Sequence, residues 1–241
     1  RMSARNAYYL YTDALRFDPA SDLAKSKQME ALDKAIVKVV LEQIPVVKAY
    51  DFSCSFFYDQ VFTSLNNDRR NLFLQFYRPE EAVKMKIAPD HVITMSFDDF
   101  VVGQVSDKKV ITDLHRDSVI VGSVKMPDGS NKNVYNTVTA KLTINTRTLE
   151  SKGLIAVQIV DFHTKQLLAH QKFEGVYVWQ DDWGTFNGDS RALSEKQLRI
   201  CNKQQISPPA PQYLFLEFTK PLYNSTINYL SNFYSATIYR M

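Results

Sequence analysis

The chain predicts an α+β fold: a two-layer α/β sandwich made of a βαβ unit, an antiparallel meander and C-terminal helices, with a short helical hairpin ahead of it. Three observations predict it. Two β-rich runs, 36–44 and 72–77, flank a helical pattern at 51–65. From 134 to 145 the side chains alternate between a more apolar and a more polar face, as in a half-buried strand. From 212 to 234 an amphipathic helical pattern closes the chain.

The elements follow in order. Residues 4–17 repeat Ala7, Leu10, Tyr11, Ala14 and Leu15 at helical spacing, and Asp18-Pro19 stops them, because a residue before proline resists the α conformation. Ser21 or Asp22 caps a second helix to about Asp33. The pair looks like one tetratricopeptide-type hairpin, although such solenoids need about three repeats. The domain reading is therefore a helical hairpin over 1–34 and an α/β domain over 35–241. Residues 36–44 (IVKVVLEQI) favour a buried strand that Pro45 ends. Asp51 caps a helix carrying Phe52, Phe56, Val61 and Leu65 near one face, broken at Asn66-Asn67-Asp68. The strand 72–77 should then lie parallel to the first. One helical turn fits 79–84, and 90–102 forms a third strand with a bulge or bend at Asp98-Asp99. Residues 103–133 read as a long loop or a protruding hairpin, with Asp128-Gly129 a turn signal. The alternating strand 134–145 is followed by a Lys152-Gly153 turn and a returning strand 154–161. Residues 163–165 turn again, and 166–173 and 176–179 add strands. Residues 190–200 are helical, Pro208-Pro209-Ala210-Pro211 is a linker, and the last helix is kinked or restarted at Pro221.

Composition excludes several function classes. Of 241 residues, 45% are hydrophobic and 23% charged, which suits a packed globular chain. A net charge of +3, with no basic run, argues against nucleic acid as a partner. No run approaches the roughly 18 apolar residues of a membrane-spanning helix. Cys54 and Cys201 sit far apart with no His or Cys at ligand spacing, and read as unpaired, mostly buried thiols. The start Arg-Met-Ser-Ala-Arg runs straight into helical sequence, as expected of a fragment or processed form.

Four pieces carry a family resemblance. They are Ala14-Leu15-Arg16-Phe17-Asp18-Pro19, Val39-Val40-Leu41-Glu42-Gln43-Ile44-Pro45, Pro89-Asp90-His91-Val92-Ile93 and Gly188-Asp189-Ser190-Arg191-Ala192-Leu193. In this order the chain resembles the α/β domain of envelope lipoproteins in the CsgG, LpoB and TolB-N-terminal group. It resembles in particular uncharacterised lipoproteins of Bacteroidota, where a short repeat-like helical segment precedes such a domain. The loop after the first strand carries Val46-Val47-Lys48 where the wider group has Phe-x-Asn, which weakens transfer of a pore-forming or synthase-activating role. The resemblance implies an outer-membrane lipoprotein, tethered through an N-terminal cysteine ahead of Arg1, whose work is contact with other envelope proteins. It brings no catalytic residues.

Several side chains have the chemistry for a site. Trp179 and Trp183, with Asp181 and Asp182 between them, could form a glycan contact by stacking and hydrogen bonding, but large aromatics more often serve packing, which favours a strand end with exposed acids. Asp189 and Arg191 stand before a helix, either as an anion site or as an N-cap with Arg191 bridging back to Asp181 or Asp182. Asp98 and Asp99 are strand neighbours on opposite faces, a poor arrangement for sharing a proton or an ion. His91, His115, His163 and His170 lack metal-ligand spacing, and neither a Gly-x-Ser-x-Gly elbow nor a phosphate loop occurs. Phe73, Phe76 and Tyr77 with Arg69, Arg70 and Arg78 faintly suggest a base-stacking platform, which the net charge disfavours. Val119, Ile120 and Val121 lie in the long 103–133 segment, too apolar for a free loop, and mark it as partner-facing.

The expectation is a non-enzymatic cell-envelope lipoprotein domain: a binding or scaffolding subunit at the outer membrane, without metal or other cofactor, touching the membrane only through its lipid anchor. The alternatives are a hydrolase of envelope polymers and an activator of cell-wall synthesis.

Overall fold

The computed structural model describes residues 1–45, 50–67 and 72–240. Val46, Val47, Lys48, Asp68, Arg69 and Arg70, and the side chain of Phe52, lie outside the described residues. The fold is α+β. The order is α1 (Met2–Phe17), α2 (Asp22–Ala35), β1 (Val37–Leu41), α3 (Asp51–Asn67), β2 (Leu74–Tyr77), α4 (Pro79–Lys84), β3 (His91–Lys125), β4 (Asn131–Asp161), β5 (Leu167–Gly188), a 3-10 turn (Ser190–Ala192), α5 (Glu195–Asn202) and α6 (Pro211–Arg240). The five strands form one mixed sheet in the order β2-β1-β3-β4-β5. β1 runs parallel to β2, with Val39 opposite Phe76, as a βαβ unit requires. It also runs parallel to the start of β3, with Leu41 opposite Ile93.

The chain divides into two compact units. The first holds Arg1–Phe100, Lys152–Val176 and Gln212–Met241; the second holds Val101–Ser151 and Tyr177–Pro211.

In the first unit, Ser21 accepts the Ala24 N–H at 3.3 Å and so caps α2. Tyr8 and Tyr9 of α1 meet Phe73 edge-on, each with ring centroids 5.6 Å apart. Asp90 ties several segments together: its carboxylate pairs with Arg1 and accepts the Lys38 N–H at 2.7 Å. The core gathers Val39, Leu41, Ile93, Met95, Ile155, Val157 and Ile159 from the strands. Against them α6 lays Leu214, Phe218, Leu222, Thr226, Leu230 and Tyr234, a buried stripe repeating in steps of four. An aromatic cluster of Tyr50, Phe57, Phe97, Phe100, Phe215 and Phe218 fills the middle, with Phe215 stacked on Tyr50 at 5.1 Å. Phe97 and Phe100 both reach Phe215, at 5.5 and 5.6 Å, although an odd spacing should send them to opposite faces. The alternation therefore slips at Asp98-Asp99, where the sequence predicts a bulge or bend.

Four expectations are corrected. Lys152-Gly153 is no turn: β4 runs straight through it. Gly153 is needed there because an added Cβ would lie 2.7 Å from Phe100 Cβ and 2.9 Å from Phe218 Cε2. The strands expected at 166–173 and 176–179 are one strand, β5, which continues through the Trp-Asp-Asp-Trp segment. The helix expected over 190–200 is a 3-10 turn followed by α5, because Ser194 and Gln197 form a capping box that restarts the helix. Finally, of the two options at Pro221 the restart is overturned: α6 is one helix carrying that proline inside it.

Candidate functional site

The second unit is a three-stranded ribbon backed by short helices. Residues 103–133, open between loop and hairpin from sequence alone, form the hairpin: β3 reaches Lys125, Met126 donates to Ser130 O at 2.8 Å, and Gly129 turns with φ 84. β3 needs a left-handed residue at Gly103 (φ 68) and again at Ser118 (φ 58), two places where so long a strand bends.

β3 and β4 oppose each other rung by rung. Asp107 accepts from Arg147 Nε at 2.8 Å and Nη2 at 2.7 Å. Lys141 Nζ lies 3.7 Å from Asp113, and Thr137 Oγ1 donates to Asp117 at 2.6 Å. Each step along one strand is matched by the same step back along the other, so these side chains share one face. The opposite face is apolar. There Val138, Ala140, Leu142 and Ile144 pack with Leu114, Val119 and Phe186, and with Ala192, Leu193, Leu198 and Cys201 below them. Gly184 and Gly188 of β5 sit under this layer, where a Cβ would come within 2.8 Å of Thr143 O and 2.5 Å of Thr139 O.

The predicted residues do not converge on one place. Asp181 is 2% exposed, pairs with Lys203 and accepts the Ile206 N–H at 2.8 Å. Burial alone would raise its pKa, but Lys203 and the Ile206 N–H outweigh it and leave the carboxyl below its ordinary value. Asp182 accepts from the Gln180 amide at 3.2 and 3.1 Å, Trp179 is half-buried, and the Trp183 ring lies 6.0 Å from the Arg147 guanidinium. Asp189 caps the 3-10 turn through the Arg191 N–H at 2.9 Å. Arg191 grips Asp189, not Asp181 or Asp182, and donates to Ile120 O at 2.5 Å. That grip holds the Asp189 carboxyl down at about 2. Val119 is half-buried in the apolar layer, whereas Ile120 and Val121 are exposed. The structure thus joins Arg191 to Ile120 and Asp189, and gives Asp181 a partner within its own unit.

Beyond Ile120 the hairpin carries Val121, Val124, Met126, Val134 and Tyr135, all exposed. Adjacent strand residues face opposite ways, so Val134 and Tyr135 present apolar surface on both faces. Phe73 and Phe76 are buried in the first unit and offer no surface for base stacking. Among the described residues no cluster of three or more potential metal ligands occurs, and no helix is long and apolar enough to cross a membrane.

No known protein family and no curated protein matches the chain. A crystal structure of a neuraminyllactose-binding hemagglutinin homolog from Helicobacter pylori is similar over 81% of this chain and 83% of its own, at 10% identity and a TM-score of 0.36. At that score the likeness carries no argument.

One feature was missed by sequence reasoning. A groove of about 750 Å³ opens in the first unit between α3 and α6, lined by Phe56, Asp59, Gln60, Thr63, Tyr223 and Ile227 among others. Phe56 is 42% exposed, an outward-facing aromatic on a helix whose apolar pattern placed it near the core face.

Proposed function

We propose that this chain is a non-enzymatic binding or scaffolding subunit of the cell envelope, a lipoprotein held at the outer membrane by a lipid anchor ahead of the domain. Its partners are other envelope proteins, and it uses no cofactor. The observation that supports this reading best is the β3–β4 hairpin, which exposes Val121, Val124, Val134 and Tyr135. Exposed apolar surface on an ordered ribbon gains most by being covered by a partner. The pairing of Asp181 with Lys203 favours binding over envelope-polymer hydrolysis, since a buried, paired carboxylate is a poor general acid or base. An activator of cell-wall synthesis would use the same hairpin with a synthase as its partner.

The test is a photo-crosslinking residue at Tyr135 in the full-length protein, expressed in its native cells. A discrete adduct with an envelope protein, absent when the same residue replaces the exposed Leu23, is the expected result. A protein found without lipid in the cytosolic fraction, or one giving no adduct at Tyr135, overturns the reading.

A further inference from the structure

β3 is an outer strand of the second unit, because the order there is β3-β4-β5 and β1 meets β3 only at 91–93. Its residues 104–113 are all exposed, with no second layer over either face. An uncovered strand edge presents unpaired N–H and C=O groups to any extended chain. Native edges are commonly blocked by lysine, and Lys108 and Lys109 stand here. The question is whether any extended partner could satisfy them.

The strand can satisfy them itself. We propose that two copies of this chain pair antiparallel through β3, about a two-fold axis at Ile111. In that register each Lys109 faces Asp113 of the other copy, and each Asp107 faces His115, whose ring N–H can donate to it. Val110 faces Thr112, Ser106 faces Arg116, Lys108 faces Leu114, and the two Ile111 side chains meet on the axis. No like charges oppose each other. The neighbouring registers fail on this count: centring on Val110 sets Asp107 against Asp113, and centring on Thr112 sets Asp107 against Asp117 and Lys108 against Arg116. Lys109 has no ion-pair partner of its own among the described residues, and Asp113, 82% exposed, holds Lys141 only at 3.7 Å. Both are available to a second copy. Asp107 keeps its Arg147 fork, since a carboxylate has acceptor positions to spare.

The pairing does not rest on the envelope reading: it uses the edge at 104–118, whereas the Tyr135 cross-link probes the hairpin end. The test is sedimentation equilibrium of the whole chain with charge swaps at exposed positions. K109D and D113K should each weaken the dimer by about tenfold or more, because each opposes like charges at two symmetric sites, and K109D/D113K should restore it. I111C should form a disulfide-linked dimer under mild oxidation, since opposed Cα atoms in an antiparallel pair lie within disulfide reach, and V105C, which faces Asp117, should not. A monomer at every concentration overturns the proposal. So does a dimer indifferent to K109D, one not restored by the double swap, or one that links as readily through V105C as through I111C.

Discussion

At the scale of single residues, the chain uses its charged groups to fasten strands and segments. Asp181 shows this most directly. It is 2% exposed and pins Lys203 and the Ile206 N–H, so the segment after α5 is held by one carboxylate. Replacing it with Asn should cost about 1–3 kcal/mol, the usual range for stranding a partner of a buried charged group. The pH dependence carries a sign. The folded-state pKa of Asp181 lies below its ordinary value of 3.8, so its contribution is complete above that value and fades as pH falls through the folded pKa. The difference in urea midpoint between the parent and Asp181→Asn should therefore be full near neutrality and shrink below about pH 4. A difference that stays constant into acid would show that shape, not charge, is what Asp181 supplies. The sequence marked Asp181 as interesting but not why: its partners stand 22 and 25 residues away, and no local pattern announces such a pairing.

At the scale of elements, local patterns were legible and chain breaks were not. The parallel βαβ unit follows from two β-rich runs around a helical one, and the structure has it. Ser21, capping α2, and the single turn of α4 were equally readable. The errors cluster at glycine and at strand ends. Gly153 suggests a turn because glycine usually marks one, yet it serves close packing against Phe218, a residue 65 positions later in sequence. Gly153→Ala should keep the fold and lower stability by about 1–3 kcal/mol, as overpacking a tight contact does. A thermal midpoint unchanged by Gly153→Ala would mean that Phe100 and Phe218 both move aside freely. Leu142 and Ile144 extend the argument to the second unit. Leu142 is 2% exposed in the apolar layer, whereas Ile144 is half-buried at its edge. Leu142→Asp should abolish folding, since an unpaired buried charge has no partner there. Ile144→Asp should only lower the midpoint, because its carboxylate can turn toward water. Equal losses by circular dichroism would contradict that ranking.

At the scale of the whole molecule, two cores share one set of strands. The boundary falls within β3 after Phe100, within β4 after Ser151, within β5 after Val176 and once more after Pro211, so neither unit is a continuous stretch of chain. A sequence can announce a domain boundary through a linker rich in Pro, Gly or polar residues. Here three crossings read Phe100-Val101, Ser151-Lys152 and Val176-Tyr177, ordinary strand composition, and only the fourth, Pro211-Gln212, follows a legible linker, Pro208-Pro209-Ala210-Pro211. The apolar layer around Leu142 and the aromatic cluster around Phe215 are each anchored on β-strands that the other also uses. Separate unfolding would need all three strands to melt on one side of the boundary while staying paired on the other. The cost of three simultaneous fraying points favours melting as a single cooperative step. Scanning calorimetry should accordingly show one transition with calorimetric and van't Hoff enthalpies in agreement. Asp181→Asn, a change in the second unit, should lower that whole transition, including the near-ultraviolet signal of the Tyr50, Phe57 and Phe215 cluster in the first. Two resolved transitions, or a variant that shifts only the second unit's signal, would mean that the strands fray at the boundary and that the chain folds as two domains.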